Sequence, residues 1–410
     1  MITQDAFTSG KSLMAAILGK MSGINKWQKD FFVQTLLLFM TIKGKINFTQ
    51  MERYSSSPEV RFRNWFKRIF DFAAFNSLLI KAFCSDELLI GFDPSFVSKS
   101  GKYTDHIGYF YSGVAGMVKR GLELGCLAII DVKQNTAYHL EAVQTPPVKK
   151  DDTESGLIKH YCKIFSDRIN ILKKHSTILV VDGWFNKQKF VSAMLDMGLE
   201  VICRLRHDAN LRYLYNGPKK DGRGRPKKYT GKVDLTQIDK TKFKISHQDE
   251  EKIIYELKVY SVSLKINIKL AYTQYINEKG AVVNTILYYS TNISRTAIDI
   301  VRYYRARFQM EFIFRDGKQF TGLATCQARS KEKIFSHVNY AMTAVNVSKA
   351  IIRQGIDRDQ PCICSIQDIK TELFNQFLLE RIFINYDIAP ELQNNIELKR
   401  KILDFGKVAA

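Results

Sequence analysis

The sequence lacks the long apolar segments of a membrane protein, and its first residues lack the pattern of a secretory leader. Its longest apolar run, Phe31 to Ile42, has 12 residues and is interrupted by Gln34 and Thr35. A membrane-spanning helix needs about 20 apolar residues, so this run is too short. The N-terminal residues MITQDAFTSGKSLMAAILGK have no basic segment ahead of the apolar ones and no A-x-A cleavage site. We therefore expect no signal peptide.

Cysteine is sparse and irregularly placed. The chain has 7 cysteines, an odd number, and no C-x-x-C pair. Secreted disulfide frameworks use even numbers of cysteines, and zinc sites use closely spaced Cys and His pairs. The closest pair, Cys362 and Cys364, has no such partners nearby in the sequence. We expect reduced, mostly buried thiols in a cytosolic protein.

Acidic residues are few compared with basic ones. The chain has 41 Asp and Glu against 62 Lys and Arg, a net charge of +21. Such an excess repels itself unless a polyanion binds it, so nucleic acid is the expected partner. An anionic membrane surface is the alternative, although the sequence contains no recognisable lipid-anchoring segment.

The N-terminal part, residues 1–85, is predicted to be a helical DNA-binding domain. Ser57 suits a helix N-cap and Pro58 the first helical position, and a basic helix is predicted from Pro58 to Phe72. With the helix before it, this resembles a helix-turn-helix. The candidate DNA contacts are Arg61, Arg63, Lys67 and Arg68. A small helical domain with a solvated basic face gives the same pattern.

Two hydrophobic strands are predicted to end on an aspartate. LLIGFD ends at Asp93, and ILVVDG carries Asp182 at the end of its apolar run. A strand buried on both faces excludes a charge from its middle but tolerates one at its end. A third strand, AIIDVK, ends at Asp131, but Gln134 and Asn135 turn the chain directly into the next strand. We therefore assign Asp131 to a hairpin.

Carboxylates at strand ends suggest a metal site. Ligands of α/β sheets gather at the carboxyl ends of the strands. Asp93, Asp182 and Glu311, the last from a helix packed across the sheet, would concentrate negative charge that divalent cations neutralise. Hard oxygen ligands select Mg²⁺ or Mn²⁺, and two ions about 3.5–4 Å apart favour phosphodiester cleavage. Taken singly, each aspartate also suits a turn or a cap.

The segment YYRARFQMEFIFRDGKQF, residues 303–320, is predicted to be one helix. On a continuous helix, four polar side chains fall within an arc of about 60°. They are Tyr304, Arg307, Glu311 and Lys318. A solvated helix edge with an ion pair between Arg307 and Glu311 is the alternative interpretation.

These residues resemble DDE transposases of the insertion-sequence-four type. The signature of that family is Tyr, two residues, Arg, three residues, Glu, six residues and Lys, and residues 304–318 match this spacing. FDPSFVSKSGKYT and VVDGWFNKQKF resemble the two aspartate segments of the family. FTGLATCQARSKEKIFSHVNYA resembles the helix after the signature. The resemblance covers roughly residues 87–350.

The resemblance implies an α/β fold with an RNase H-like, mixed five-stranded sheet. A β-rich insertion interrupts this core, and 129 positions separate Asp182 from Glu311 (311 − 182). An N-terminal helical domain precedes the core and a helical region follows it. The expected boundaries are 1–85 for the N-terminal domain, 86–207 and 293–350 for the two parts of the core, 208–292 for the insertion and 351–410 for the C-terminal region.

The resemblance also implies the roles of the site residues. Asp93 would bridge two Mg²⁺ ions, for which Mn²⁺ can substitute, and Asp182 and Glu311 would hold one each. Arg307 and Lys318 would bind phosphates near the scissile bond, with Tyr304 orienting or packing on a phosphate. Trp184 would stack on a displaced base, although an aromatic residue just after a strand is more often part of the core.

Two further basic segments are candidate DNA contacts. Lys99 and Lys102 follow Asp93 closely. The loop around Arg223 and Arg225 contains Arg-Gly-Arg-Pro, which resembles an AT-hook and suits a narrow minor groove. A flexible solvated loop is the alternative.

The expected function is that of an insertion-sequence transposase in the bacterial cytoplasm, associated with the nucleoid. It would cut the transposon ends at their terminal inverted repeats and join them to target DNA, as a homodimer in the synaptic complex. Two other interpretations remain open: a catalytically silent DNA-binding descendant, or another RNase H-like nuclease. Strand transfer products would separate the transposase from both.

Overall fold

The computed structural model describes residues 5–147, 154–218, 226–386 and 396–408. The chain divides into two compact units. The first unit contains Met1–Glu87, Pro94–Lys149 and Gln309–Ala410, and the second contains Leu88–Asp93 and Lys150–Phe308. Strand β1, Leu88–Ser98, therefore begins in the second unit and ends in the first.

The α-helices and strands are listed here in chain order. They are α1 (Ala6–Gly19), α2 (Lys26–Thr41), α3 (Phe48–Arg53), α4 (Glu59–Trp65), α5 (Phe72–Phe83), β1 (Leu88–Ser98), β2 (Gly108–Ser112), β3 (Met117–Asp131), β4 (Thr136–Gln144), α6 (Glu154–Leu172), β5 (Ile178–Val180), α7 (Gln188–Asp196), β6 (Glu200–Leu205), β7 (Leu211–Leu214), β8 (Tyr229–Lys232), β9 (Lys244–Gln248), β10 (Lys252–Ser261), β11 (Ile266–Ile276), β12 (Val282–Ser290), α8 (Ala297–Ala306), α9 (Gln309–Gln319), α10 (Lys331–Ile352), α11 (Ile366–Tyr386) and α12 (Ile396–Asp404).

In the first unit, the N-terminal helices and α10 form an aromatic core. Asn25 and Gln28 form a capping box at the start of α2, which holds the N-terminal turn. Phe32 of α2 stacks on Phe70 with 4.1 Å between ring centroids and also packs against Tyr340 of α10. Helix α10 is buried along most of its length.

The predicted basic helix from Pro58 to Phe72 is wrong in its extent. Helix α4 ends at Trp65, and the next helix, α5, begins at Phe72. Asp71 caps α5 by accepting a hydrogen bond from Ala74 N at 2.9 Å, which fixes a new helix start where a continuous helix was expected. Ser57 does not cap α4 through its side chain, because it is buried against Gln34.

The strands of the first unit form antiparallel pairs. β2 pairs with β3, and β3 pairs with β4. Asn135, in the turn between β3 and β4, has a positive φ of 49°. The predicted hairpin is therefore confirmed, and Asp131 is the last residue of β3, directly before the turn. In β3, a Cβ at Gly121 would lie 2.4 Å from Val97 O of β1, so only glycine permits this approach.

In the second unit, β1, β5 and β6 run parallel as neighbours. The strands continue through β12, β11, β10 and β7 to β8, all antiparallel, and β9 pairs with β10. Helix α6 precedes β5 in the chain, and α7 connects β5 to β6. Phe92, Tyr161 and Phe165 pack together beneath β1.

The predicted mixed α/β class is confirmed. Twelve strands occur in the part of the chain that the structure describes, and most of them pair antiparallel. Among the same residues, no helix is both long and apolar enough to span a lipid bilayer.

Candidate active site

Asp93, within β1, and Asp182, just after β5, lie at equivalent positions of two neighbouring parallel strands. In β1 and β5, Ile90 lies opposite Leu179 and Gly91 lies opposite Val180. The same register, continued for two residues, places Asp93 opposite Asp182, with roughly 5 Å between the two backbones. The strand residues before both aspartates are buried, whereas Asp93 and Asp182 are half-buried. The prediction that the first strand ends on Asp93 is wrong, because β1 continues to Ser98.

The backbone around Asp182 is held by two hydrogen bonds. Its side chain accepts one from Trp184 N at 2.9 Å, as the cap of the short 3₁₀ helix Gly183–Phe185. Its carbonyl oxygen accepts one from Cys203 Sγ of the adjacent strand β6 at 3.0 Å. Burial raises the pKa of the Cys203 thiol above its ordinary value, so this thiol stays protonated and acts as a donor.

Arg307 lies against Asp93. Arg307 Nη1 is 3.8 Å from Asp93 Oδ2, and the two side chains are only 17% and 21% exposed. At this burial, the guanidinium offsets much of the cost of desolvating the carboxylate. The Arg307 guanidinium also lies 5.8 Å from the centroid of the Tyr304 ring.

Tyr304 is held as a neutral phenol. Its ring packs on Tyr288 of β12, with 4.6 Å between centroids. Burial raises the pKa of Tyr304, and nearby Arg307 opposes this shift without overcoming it. The hydroxyl of Tyr304 is therefore a hydrogen-bond donor at neutral pH.

The single helix predicted over residues 303–320 is wrong. Helix α8 ends at Ala306 and α9 begins at Gln309. Between them, Arg307 N donates to Tyr304 O and Phe308 N donates to Arg305 O, so the backbone tightens to three-residue spacing and the α-helical ladder stops. The 60° arc calculated for a continuous helix therefore does not apply.

The remaining two residues of the signature lie in the first unit. Glu311 is exposed in the first turn of α9. Lys318, in the last turn, donates from Nζ to Ser95 Oγ of β1 at 3.0 Å. Lys318 is half-buried and lies 5.9 Å from the centroid of the Phe314 ring.

The aspartate pair fits a magnesium ion in its donor chemistry. Mg²⁺ is commonly bound through one or two carboxylates while it keeps several of its waters. Asp93 and Asp182 supply two carboxylates at neighbouring positions of adjacent strands. Over the ranges that the structure describes, no group of three or more His, Cys, Asp or Glu side chains is placed to hold a metal ion.

A basic groove lies beside Asp182 in the second unit. It has a volume of ≈ 770 Å³, and Trp184 and Lys187 line one part of it. Trp184 is 37% exposed, with Lys187 Nζ 4.6 Å from its ring centroid. Asn186 Oδ1 is buried in the groove and accepts no hydrogen bond from the part of the chain that the structure describes. The other lining residues are Gly183, Arg204, Leu205, Arg206, His207 and Asp208.

One family model matches the sequence. Residues 158–347 match the model described as the transposase DDE domain. This segment is similar to a transposase DDE domain. It contains Asp182, Tyr304, Arg307, Glu311 and Lys318 and begins after Asp93.

The match to the transposase DDE domain supports transposase activity, DNA transposition and DNA recombination. The cryo-EM structure of the piggyBac transposase synaptic complex with hairpin DNA also matches the chain. That match covers 100% of this chain and 84% of the other, with a TM-score of 0.40 and 13% identity, too low to establish a shared fold. No curated protein matches the sequence.

The other predicted DNA contacts are distributed over several surfaces. Arg61 donates to Ser57 Oγ, and Arg63 forms an ion pair with Glu59. The other two basic residues, Lys67 and Arg68, follow the end of α4 and are exposed.

Lys99 and Lys102 differ in their environment. Lys99 is half-buried and donates to Cys326 O, whereas Lys102 is exposed and lies 5.9 Å from the Tyr103 ring centroid. Arg223 and Arg225 lie outside the described residues, so the AT-hook prediction stays a prediction.

Several residues at these sites were missed in the sequence. Cys203 and Arg204 belong to LEVICRLR, which was interpreted only as a strand. Basic residues at and just after the end of β6, Arg204, Arg206 and His207, are the available signal, since ligands gather at the ends of parallel strands.

Proposed function

We propose that this protein is a DNA transposase of the insertion-sequence-four type, with an RNase H-like catalytic core. The observation that carries the proposal is the register of β1 and β5, which places Asp93 opposite Asp182 just beyond the paired residues Gly91 and Val180. In the matched DDE-domain segment, a basic groove lies beside Asp182. The Tyr-Arg-Glu-Lys spacing follows later in the same segment.

The strand pairings support an RNase H-like core. β1, β5 and β6 are parallel neighbours in the second unit, and β3 and β4 form an antiparallel hairpin in the first. Antiparallel strands early in the chain and parallel strands later are what the proposed mixed five-stranded core requires. Strands β7 to β12 are then the β-rich insertion.

The proposed site binds Mg²⁺ through Asp93, Asp182 and Glu311, with two ions per site and Mn²⁺ as a substitute. Bound at this position, the cation supplies Lewis acidity to a phosphodiester. The role of Glu311 rests on the signature spacing alone. Arg307, already placed at Asp93, turns to a phosphate oxygen, because guanidinium binds phosphate in a bidentate manner.

The proposed reaction has two phosphoryl transfers. In the first, water attacks the phosphodiester at the transposon end, the bond from phosphorus to the 3′ oxygen breaks, and a 3′-hydroxyl is released. In the second, that 3′ oxygen attacks a phosphodiester of the target, and the 3′ oxygen of the target leaves. Neither step needs a covalent bond to the protein. Tyr304 donates a hydrogen bond to a phosphate, and Lys318 binds another.

The proposed partner is DNA, both the terminal inverted repeats and the target, bound by a homodimer in the cell's cytoplasm. The groove at Trp184 suits a displaced base, because a half-exposed indole offers a stacking face and Asn186 Oδ1 offers an unused acceptor. Lys102, Lys67, Arg68 and the loop with Arg223 and Arg225 are proposed to contact the DNA backbone.

The test is a cleavage and joining assay on labelled DNA that carries the sequences flanking this reading frame. With Mg²⁺ we expect cleavage at the ends and joined products with a target plasmid, and with EDTA we expect neither. Glu311→Gln should lose both products while still binding the DNA. Cleavage without joining would indicate a nuclease instead, and DNA binding without cleavage by the unaltered protein would indicate a silent descendant.

A further inference from the structure

A second basic groove lies wholly within the first unit. It has a volume of ≈ 950 Å³ and is built from three parts of the chain that are far apart in sequence. These are the loop before α3 with the start of that helix, the end of β1 with the loop after it, and the segment from the 3₁₀ helix Leu323–Thr325 into α10. Arg63 of α4 adds a fourth contribution. Its cationic residues are Lys45, Arg63, Lys99, Arg329 and Lys333.

No negative charge balances these cations from within the groove. Of the described residues that line it, none is acidic. Arg63 forms an ion pair with Glu59, which does not line the groove; Arg63 is exposed and Glu59 half-buried. Glu332 lies in the first turn of α10 but does not line the groove. Coulomb repulsion among the cations therefore raises the free energy of the unbound protein.

Burial and neighbouring positive charges lower the pKa of two lysines of the groove. Burial lowers the pKa of Lys333, and the positive charges of Lys67 and Arg63 lower it further. Burial also lowers the pKa of Lys99, with Arg329 adding to the effect. His337, on the floor of the groove, donates to Gly322 O, and burial lowers its pKa to about 4, so it stays neutral.

The start of α10 adds to the positive potential. This helix has 22 residues, and Ser330, its N-cap, makes no capping hydrogen bond through its side chain. Ser330 and Lys333 both line the groove, so the positive end of the helix dipole faces the same space as the cations. Backbone N–H groups at such a position bind phosphate oxygens.

We propose that this groove binds the sugar-phosphate backbone of duplex DNA at more than one phosphate, through Lys45, Lys99, Arg329 and Lys333. The groove is too large for one phosphate group, and its cations come from separate parts of the chain. This inference rests on the proposed function, since it assigns a place to the DNA that the reaction consumes. Lys45, Arg329 and Lys333 were not identified in the sequence.

The test is DNA binding without divalent ions, measured by fluorescence anisotropy over a series of salt concentrations. The variant Lys45→Ala/Arg329→Ala removes two exposed cations of the groove. The matched control Lys240→Ala/Lys279→Ala removes two exposed lysines of the second unit. Each lost phosphate contact lowers the slope of log K against log salt by about 0.9. We expect the slope of log K against log salt to be smaller by about 2 in the groove variant than in the unaltered protein, and its affinity for DNA to be lower by roughly tenfold or more. The control should match the unaltered protein in both quantities.

An unchanged slope in the groove variant, or an equal loss in the control, would overturn the inference. Loss of binding to polyglutamate with unchanged binding to the duplex would also overturn it, because the groove would then serve an acidic protein. Arg329→Ala/Lys333→Ala is the second variant, and thermal melting checks that both fold. The proposed function fails separately, if the unaltered protein cuts no DNA while the salt slopes behave as expected.

Discussion

Asp131 and Asp182 both end a hydrophobic strand, but the structure treats them differently. Asp131 is fully buried and accepts hydrogen bonds from Ser85 N, Ser85 Oγ and Gln134 N at 2.6 to 2.9 Å. Asp182 is partly exposed and accepts a hydrogen bond from Trp184 N through Oδ1. The Asp131 carboxylate is fully hydrogen-bonded inside the protein, whereas the Asp182 carboxylate is partly exposed to solvent beside a basic groove.

The direction of the chain after the strand explains part of the difference. After Asp131 the chain turns back into an antiparallel strand, so Gln134 N of the turn reaches the carboxylate, and Ser85, which precedes β1, supplies the other two donors. After Asp182 the chain leaves a parallel strand for a short 3₁₀ helix, so fewer donors reach the side chain. A strand-end aspartate is therefore a better candidate ligand when its strand is parallel to its neighbours.

The largest expected effect is on the reaction. Asp182→Asn keeps the acceptor for Trp184 N but removes the negative charge, so we expect cleavage to fall by about 10³-fold or more with the melting temperature nearly unchanged. Asp93→Asn should do the same. The measurement is the cleavage rate on end-containing DNA at fixed Mg²⁺, with circular dichroism as the control for folding. Cleavage retained by either variant would remove that residue from the site.

The converse change should affect stability rather than the reaction. Asp131→Ala leaves three buried donors without their acceptor, so we expect the free energy of unfolding to fall by about 3 kcal/mol. The molecules that stay folded should keep their activity. Urea unfolding gives the first quantity, and active-site titration of the soluble fraction gives the second. A stable but inactive Asp131→Ala protein would contradict the comparison.

A smaller effect is expected at Lys318. Lys318→Ala removes the proposed phosphate contact and a hydrogen bond to Ser95 Oγ, and we expect a loss of about tenfold in the reaction. Ser95→Ala removes only the hydrogen bond and serves as the matched control. If both variants lose the same activity, Lys318 acts by positioning β1 rather than by binding DNA.

The smallest effect concerns pH. Burial raises the pKa of Asp131 above its ordinary value of 3.8, and its hydrogen bonds offset this only in part. Between 3.8 and the folded-state pKa, the folded protein binds more protons than the unfolded one, so this group favours folding less as pH rises through that window. Relative to Asp131→Asn, the unaltered protein should lose unfolding free energy as pH rises from below 3.8. The opposite slope would contradict the assigned burial.

Local features of the sequence predicted local structure well. The apolar runs LLIGFD and ILVVDG predicted two buried strands, and Gln134 with Asn135 predicted the hairpin. The predicted end of the first strand at Asp93 is wrong, because β1 continues to Ser98. In each case the prediction depended only on one strand and the residues next to it in the sequence. The mixed α/β class followed from the alternation of such runs with amphipathic helices.

Interruptions and long-range clusters escaped prediction for physical reasons. The polar and apolar spacing of residues 303–320 continues through the break at Arg307 and Phe308, so periodicity alone does not reveal it. The basic helix was drawn past Trp65 because helix propensity does not register the cap at Asp71. Lys45 and Arg329 share a groove although 284 positions separate them (329 − 45), and no local pattern connects them.

The most direct measurement of the central claim is Mn²⁺ binding followed by electron paramagnetic resonance on the purified protein without DNA. We expect the unaltered protein to bind Mn²⁺, and Asp93→Asn and Asp182→Asn each to weaken binding by at least about tenfold, because each removes one carboxylate of the pair. Asp131→Asn should bind Mn²⁺ as the unaltered protein does. Equal Mn²⁺ binding by the unaltered protein, Asp93→Asn and Asp182→Asn would contradict the account.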